Sequence, residues 1–125
     1  MIAVDSSSFI AYLSGGKGSD VEEVERALTE SQVCLPFVVL TELLSDPKLP
    51  ASVVSLLTEL PVLEVTEGYW SRAGLLRARL LSSRRRARLA DTLIAQSCLD
   101  HDVPLIARDE DYRHLARLAG LKLFS

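Results

Sequence analysis

The chain has 125 residues, 48% of them hydrophobic, which is room for one domain spanning residues 1–125 around a single apolar core. A net charge of -3 argues against a bulk electrostatic grip on nucleic acid. No apolar run reaches the roughly 18 residues of a membrane span, and Met1-Ile2-Ala3-Val4-Asp5 lacks a secretory pattern, so a cytoplasmic protein without a membrane partner is expected.

Ile2-Ala3-Val4 reads as a buried first strand, Ser6 to Ser8 as a polar crossover, and Phe9 to Leu13 as a short helix stopping before Gly15-Gly16. Asp20, with Glu23 three residues on, predicts an N-cap for a helix ending near Thr29, where Val21, Val24 and Leu28 share a face. Val33-Cys34-Leu35 is a second strand. Pro36 sits where the next helix would begin, with Phe37, Leu40, Thr41 and Leu44 on one face. After Pro47 and Pro50, Ala51 to Leu60 is helical, and Val62 to Val65 is a third strand. Thr66 is the expected cap of a helix reaching Leu81. Ser82 to Arg88 is a polar joint, and Leu89 to Leu99 is a helix with Leu93, Ile94 and Cys98 inward. Val103 to Ala107 is a fourth strand, Asp111 to Ala119 the last helix, and Leu121 to Phe124 a fifth strand.

Short apolar strands alternating with helices predict an α/β fold of three layers, a central parallel sheet of about five strands flanked by helices. In such sheets, ligand groups collect beyond the carboxyl ends of the strands. Asp5 immediately follows the first strand, and Asp109 lies just past the fourth. Asp91 falls near a helix start, where the dipole favours an anion. Glu42 stands in the apolar Leu40-Thr41-Glu42-Leu43-Leu44 with Val38 and Asp46 four residues away, so no basic neighbour pairs with it. Taken singly, each acid also fits a cap, a turn or a solvated face. Gathered, they would repel one another unless a cation neutralised them, and hard oxygen donors suit Mg²⁺ or Mn²⁺.

Four segments together resemble the PIN domain, specifically the VapC-like toxins of toxin–antitoxin pairs. They are Asp5-Ser6-Ser7-Ser8-Phe9-Ile10, the isolated Glu42, Ala90-Asp91-Thr92-Leu93-Ile94-Ala95, and Pro104 to Tyr112. The resemblance covers essentially the whole chain. It implies a PIN fold and a metal-dependent endoribonuclease in which Asp5, Glu42, Asp91 and Asp109 hold Mg²⁺ or Mn²⁺. Asp111 falls where some members carry a further acid, and Ser6 matches a hydroxyl residue that orders the site. The resemblance also implies cleavage of RNA to 5'-phosphate and 3'-hydroxyl ends, a homodimer, and a cognate antitoxin covering the groove. Two departures stand out. Ala107 replaces the usual polar residue before the Asp109 segment, and Tyr112 replaces the usual phenylalanine, with a ring that can pack similarly.

The Arg72 to Arg88 stretch concentrates seven of the 14 basic residues, with no acidic residue from Ser71 to Ala90. Arg84, Arg85, Arg86 and Arg88, together with Arg108 beside Asp109, are candidate RNA contacts; the alternatives are an antitoxin surface or a plain solvated face. Leu75-Leu76 and Leu80-Leu81 fit core packing or a dimer face, and Tyr12, Tyr69 and Trp70 fit packing better than base stacking. His101 and His114 fit surface or helix-terminal roles. Cys34 and Cys98 read as reduced core thiols. A receiver domain would need a lysine after a late strand, and Lys122 lies within the last one. No phosphate-cradling glycine loop occurs, since Gly15-Gly16-Lys17-Gly18 has the wrong spacing and context. The remaining alternative is a PIN-like domain that binds RNA or protein without cutting.

Overall fold

The computed structural model describes residues 1–124. The sheet has four strands, β1 (Ile2–Val4), β2 (Val33–Pro36), β3 (Val62–Leu63) and β4 (Leu105–Ile106), ordered β3-β2-β1-β4 and parallel throughout. The helices are α1 (Ser6–Leu13), α2 (Ser19–Thr29), α3 (Phe37–Leu44), α4 (Ala51–Glu59), α5 (Tyr69–Ser82), α6 (Leu89–His101) and α7 (Tyr112–Ala119).

Continuous apolar strands form because helices cover the sheet. Ala3 and Val4 are both fully buried although successive side chains point to opposite faces, as are Leu105 and Ile106. α2 lies against β2 and β4, and α6 against β2 and β3, with α5 packed on α6. α6 is buried along most of its length from Thr92 to Cys98. In α5 the leucine pairs divide. Leu76 and Leu80, four residues apart, are in the core, while Leu75 and Leu81 are exposed. Trp70 is 64% exposed, so its role is not core packing as expected; its ring meets Tyr69 edge-on at 4.9 Å.

The sequence reading needs several corrections. The fifth strand is reduced to one parallel bridge, Leu105 to Leu123, because the segment after Gly120 meets β4 only through the Leu105 amide and carbonyl. β3 stops at Leu63, and Val65 is 43% exposed. β4 is shortened by Pro104, which has no N–H to donate, though its carbonyl accepts from Ala3. The three serines belong to the first turn of α1. Asp20 does not cap α2, which begins after Gly18, and Gly68 stands at the cap position of α5 where Thr66 was expected.

Ties between side chains hold these elements in register. Arg72 of α5 grips Asp100 of α6 at 2.6 and 3.1 Å, and Gln96 adds a donor to the same carboxylate at 2.8 Å. Both cysteines are free and buried, and burial pushes the Cys34 thiol up to about 11. No helix among the described residues is long and apolar enough to cross a membrane.

Because α6 carries Asp91 and Ile94 is its fully buried anchor, Ile94→Ala should cost about 2–5 kcal/mol. Urea denaturation checks this, and a cost below about 1 kcal/mol would mean α6 is not held by that side chain.

Candidate metal centre

β1 is the strand at which the connectivity reverses: the chain steps outward from β1 to β2 to β3 and later returns to place β4 on the other side of β1. A crevice forms at such a point beyond the carboxyl ends of the strands. Asp5 stands at its floor. Its amide donates to the Ile106 carbonyl of β4 at 2.9 Å, and its carbonyl accepts the first bond of α1 from Phe9 at 3.1 Å. The side chain makes no capping bond and is only 5% exposed. Ser7 donates to Asp5 Oδ2 at 2.7 Å and the Tyr112 hydroxyl to Asp5 Oδ1 at 2.9 Å.

Asp91 lies in the first turn of α6 and presents Oδ1 to the same Tyr112 hydroxyl at 3.3 Å. Its Oδ2 is buried without a hydrogen-bond partner. Beyond β4 the chain turns through Asp109, whose Oδ1 accepts from the Asp111 amide at 2.9 Å, an aspartate turn that swings both carboxylates to one side. Ligand oxygens of Asp91, Asp109 and Asp111 all lie within 4.8 Å of one another. Burial, the first cause, pushes the Asp91 carboxyl up to about 6; the negative charges of Asp5 and Asp109 push in the same direction, against the Tyr112 bond and Arg88.

These three residues fit a divalent cation. The donors are hard oxygens, one is buried and unpartnered, and the charge they collect is otherwise opposed mainly by exposed arginines. Asp5 and Glu42 lie outside this tight group. Asp5 joins it through Tyr112. Exposed Glu42 is tied to the start of α1 by a 2.6 Å bond from Ser6.

The arginines divide. Arg88 approaches Asp109 at 3.8 Å and Arg86 approaches Asp111 at 3.9 Å, both side chains more than half exposed. Arg85 lines a separate pocket of about 210 Å³ with Ser83, His114 and Arg117. Arg84 turns the chain at φ 57°. Arg108, adjacent to Asp109 in sequence, points elsewhere: it donates to Asp20 at 2.8 and 3.1 Å and to the Lys17 carbonyl at 3.2 Å. Gly18, at φ 141°, leaves room for that clamp, since a Cβ there would meet Asp20 Oδ1 at 2.6 Å. His101 contacts the Glu64 carbonyl at 2.7 Å, and neither histidine has a bond to the acids.

Sequence reasoning missed the polar half of Tyr112. Its ring fits packing by sequence and is fully buried, but the hydroxyl links two acids 86 positions apart. Burial and both carboxylates push this phenol far above its ordinary value, so it stays protonated. An available signal was its place three residues after Asp109, in the turn that enters the crevice.

Residues 2–118 match the PIN domain family. The chain belongs to that family. VapC ribonuclease Mb1587 of Mycobacterium bovis is 28% identical over 100% of this chain and 98% of its own length. VapBC2 from Rickettsia felis, solved with a DNA fragment from its promoter, superposes with a TM-score of 0.74 at 18% identity, covering 99% of this PIN chain and 98% of that one. FitAcB from Neisseria gonorrhoeae gives 0.70 at 17% identity over 100% and 97%. At these identities the two structures speak for the fold.

The raised Asp91 carboxyl has a signed consequence for stability. Between 3.8 and about 6 the folded PIN domain keeps a proton that the unfolded chain has lost, so stability falls as pH rises through that window. Asp91→Asn should flatten this slope and, in chelator at pH 7, raise stability by about 1 kcal/mol after solvent screening. Urea titrations from pH 4 to 7 read it directly; identical profiles for the two proteins would refute the assignment.

Proposed function

We propose that this PIN domain is a metal-dependent endoribonuclease, the toxin of a toxin–antitoxin pair. The observation that carries the reading is the convergence of Asp91, Asp109 and Asp111 next to Asp5, with the buried Asp91 Oδ2 lacking any partner. Similarity to a VapC ribonuclease over the full chain supports the same activity.

In this reading Asp91, Asp109 and Asp111 hold Mg²⁺ or Mn²⁺. Asp5 completes the site from the end of β1, and Glu42, steadied by Ser6, serves from the rim. A cation held by these residues would supply activation of water and neutralisation of charge on the phosphoryl oxygens. Arg86 and Arg88 add the cationic counterpart. Their pairings with Asp111 and Asp109 are long and exposed, hence weak, so both guanidiniums are free to turn to the phosphates of an RNA strand. Cleavage leaves 5'-phosphate and 3'-hydroxyl ends.

An apolar groove of about 270 Å³ beside Glu42, lined by Ile10, Leu13, Leu43, Leu49 and Val53, suits an antitoxin segment that covers the site. The outward Leu75 and Leu81 of α5 offer a face for a homodimer. The protein acts in the cytoplasm.

The test uses purified protein freed of any partner and total cellular RNA. Cleavage should appear with Mg²⁺ or Mn²⁺, vanish in chelator, and fall to the chelator level in Asp5→Asn, with mapped ends carrying 5'-phosphates. Cleavage without metal, or equal cleavage by the variant, would overturn the mechanism. Folded protein that cuts no RNA would mark a PIN-like domain that binds RNA or protein without catalysis.

A further inference from the structure

We propose that Tyr112 is a positioning residue for the metal centre, its hydroxyl setting how Asp5 and Asp91 face a bound cation. The inference rests on the metal-dependent reading above. Asp5 comes from the end of β1 and Asp91 from the first turn of α6, and no direct hydrogen bond joins them. What links them is the Tyr112 hydroxyl, at 2.9 Å from Asp5 Oδ1 and 3.3 Å from Asp91 Oδ1. Tyr112 begins α7 and enters the site on the turn that also places Asp109 and Asp111; its amide donates to the Asp109 carbonyl at 3.3 Å. One side chain therefore ties three separate parts of the fold to one point.

Packing alone does not account for that hydroxyl. The ring is fully buried, and a phenylalanine ring would occupy the same space. A buried hydroxyl is costly unless it is bonded, and this one has only the two carboxylates. It also consumes little ligand capacity, because each carboxylate oxygen keeps a further lone pair. By engaging Asp91 Oδ1 it leaves Oδ2 as that residue's oxygen with no donor. Without it, two acids in mutual repulsion lose the donor they share: Asp5 keeps only its Ser7 bond, and Asp91 keeps no side-chain donor.

Loss of a hydrogen bond that orients a metal ligand weakens metal affinity by about 10–100-fold. The test is a Mn²⁺ titration of the full chain without RNA, following the electron paramagnetic resonance signal of free Mn²⁺. Tyr112→Phe is compared with the native protein and with Leu115→Ala, which loosens α7 one turn further on at a core residue 3% exposed. Tyr112→Phe, folded by circular dichroism, should bind Mn²⁺ about tenfold more weakly or worse, while Leu115→Ala binds as the native protein does. Tyr112→Phe binding as tightly as the native protein would overturn the role of the hydroxyl. Equal loss in Leu115→Ala would assign the effect to helix packing and overturn it too. Absence of Mn²⁺ binding by the native protein would instead bring down the metal-centre reading itself, and this inference with it.

Discussion

Carboxylates gathered at one end of a sheet repel one another, and the arrangement around Asp5 and Asp91 is organised by that repulsion. Asp5 is buried with a donor on each oxygen, from Ser7 and Tyr112. Asp91 shares one of those donors and has nothing on its other oxygen. The consequence is an asymmetric pair. The acid at the strand end is well satisfied, while the acid on α6 is pushed up to about 6, first by burial and then by the charges of Asp5 and Asp109. A cation held among Asp91, Asp109 and Asp111 would relieve the residue that is least satisfied.

Such a site needs rigid supports, because the acids come from β1, α6 and the β4–α7 turn, and their own interactions push them apart. The supports lie away from the acids. Arg72 and Asp100 fasten α5 to α6, with Gln96 and Thr66 adding bonds to the same carboxylate. Arg108 fastens the end of β4 to the start of α2 through Asp20. Arg108, a candidate RNA contact by sequence, and Arg72, at the head of the basic stretch, are thereby committed to the scaffold. The arginines left near the crevice, Arg86 and Arg88, sit on the exposed joint between α5 and α6 and are held only by distant partners. Position along the chain misleads here because residue 108 follows a strand edge whose successive side chains diverge.

Much of the scaffold was legible. The strand cores at Ile2–Val4, Val33–Pro36 and Leu105–Ile106 are short apolar runs that only a covered parallel sheet explains, and Asp5 and Asp109 could be placed from the rule for open sheets alone. Strand ends were less legible, since Val65 and the segment around Leu123 carry apolar residues that the sheet does not fully use. Helix starts were misread where a polar residue had a tertiary partner. Asp20 has the composition of a cap, but Arg108, 88 positions away, takes its carboxylate. Thr66 likewise donates to Asp100 instead of closing a helix end. Local patterns do not register a partner so far off in sequence.

Tyr112 shows the same limit within the site. Hydrophobic patterning correctly assigns its ring to the core, and that assignment hides the one atom that faces the acids. A phenol is two groups in different surroundings, an apolar ring and a strong donor, and burial of the first says nothing about the work of the second. The PIN fold supplies the crevice and brings acids to its rim, and within that frame the chain adds a proton donor where a phenylalanine would offer none. The donor stabilises a close approach of Asp5 and Asp91 before any cation arrives. The geometry that a bound metal would require is then partly built into the folded protein, and less of it would have to be assembled at the moment of binding.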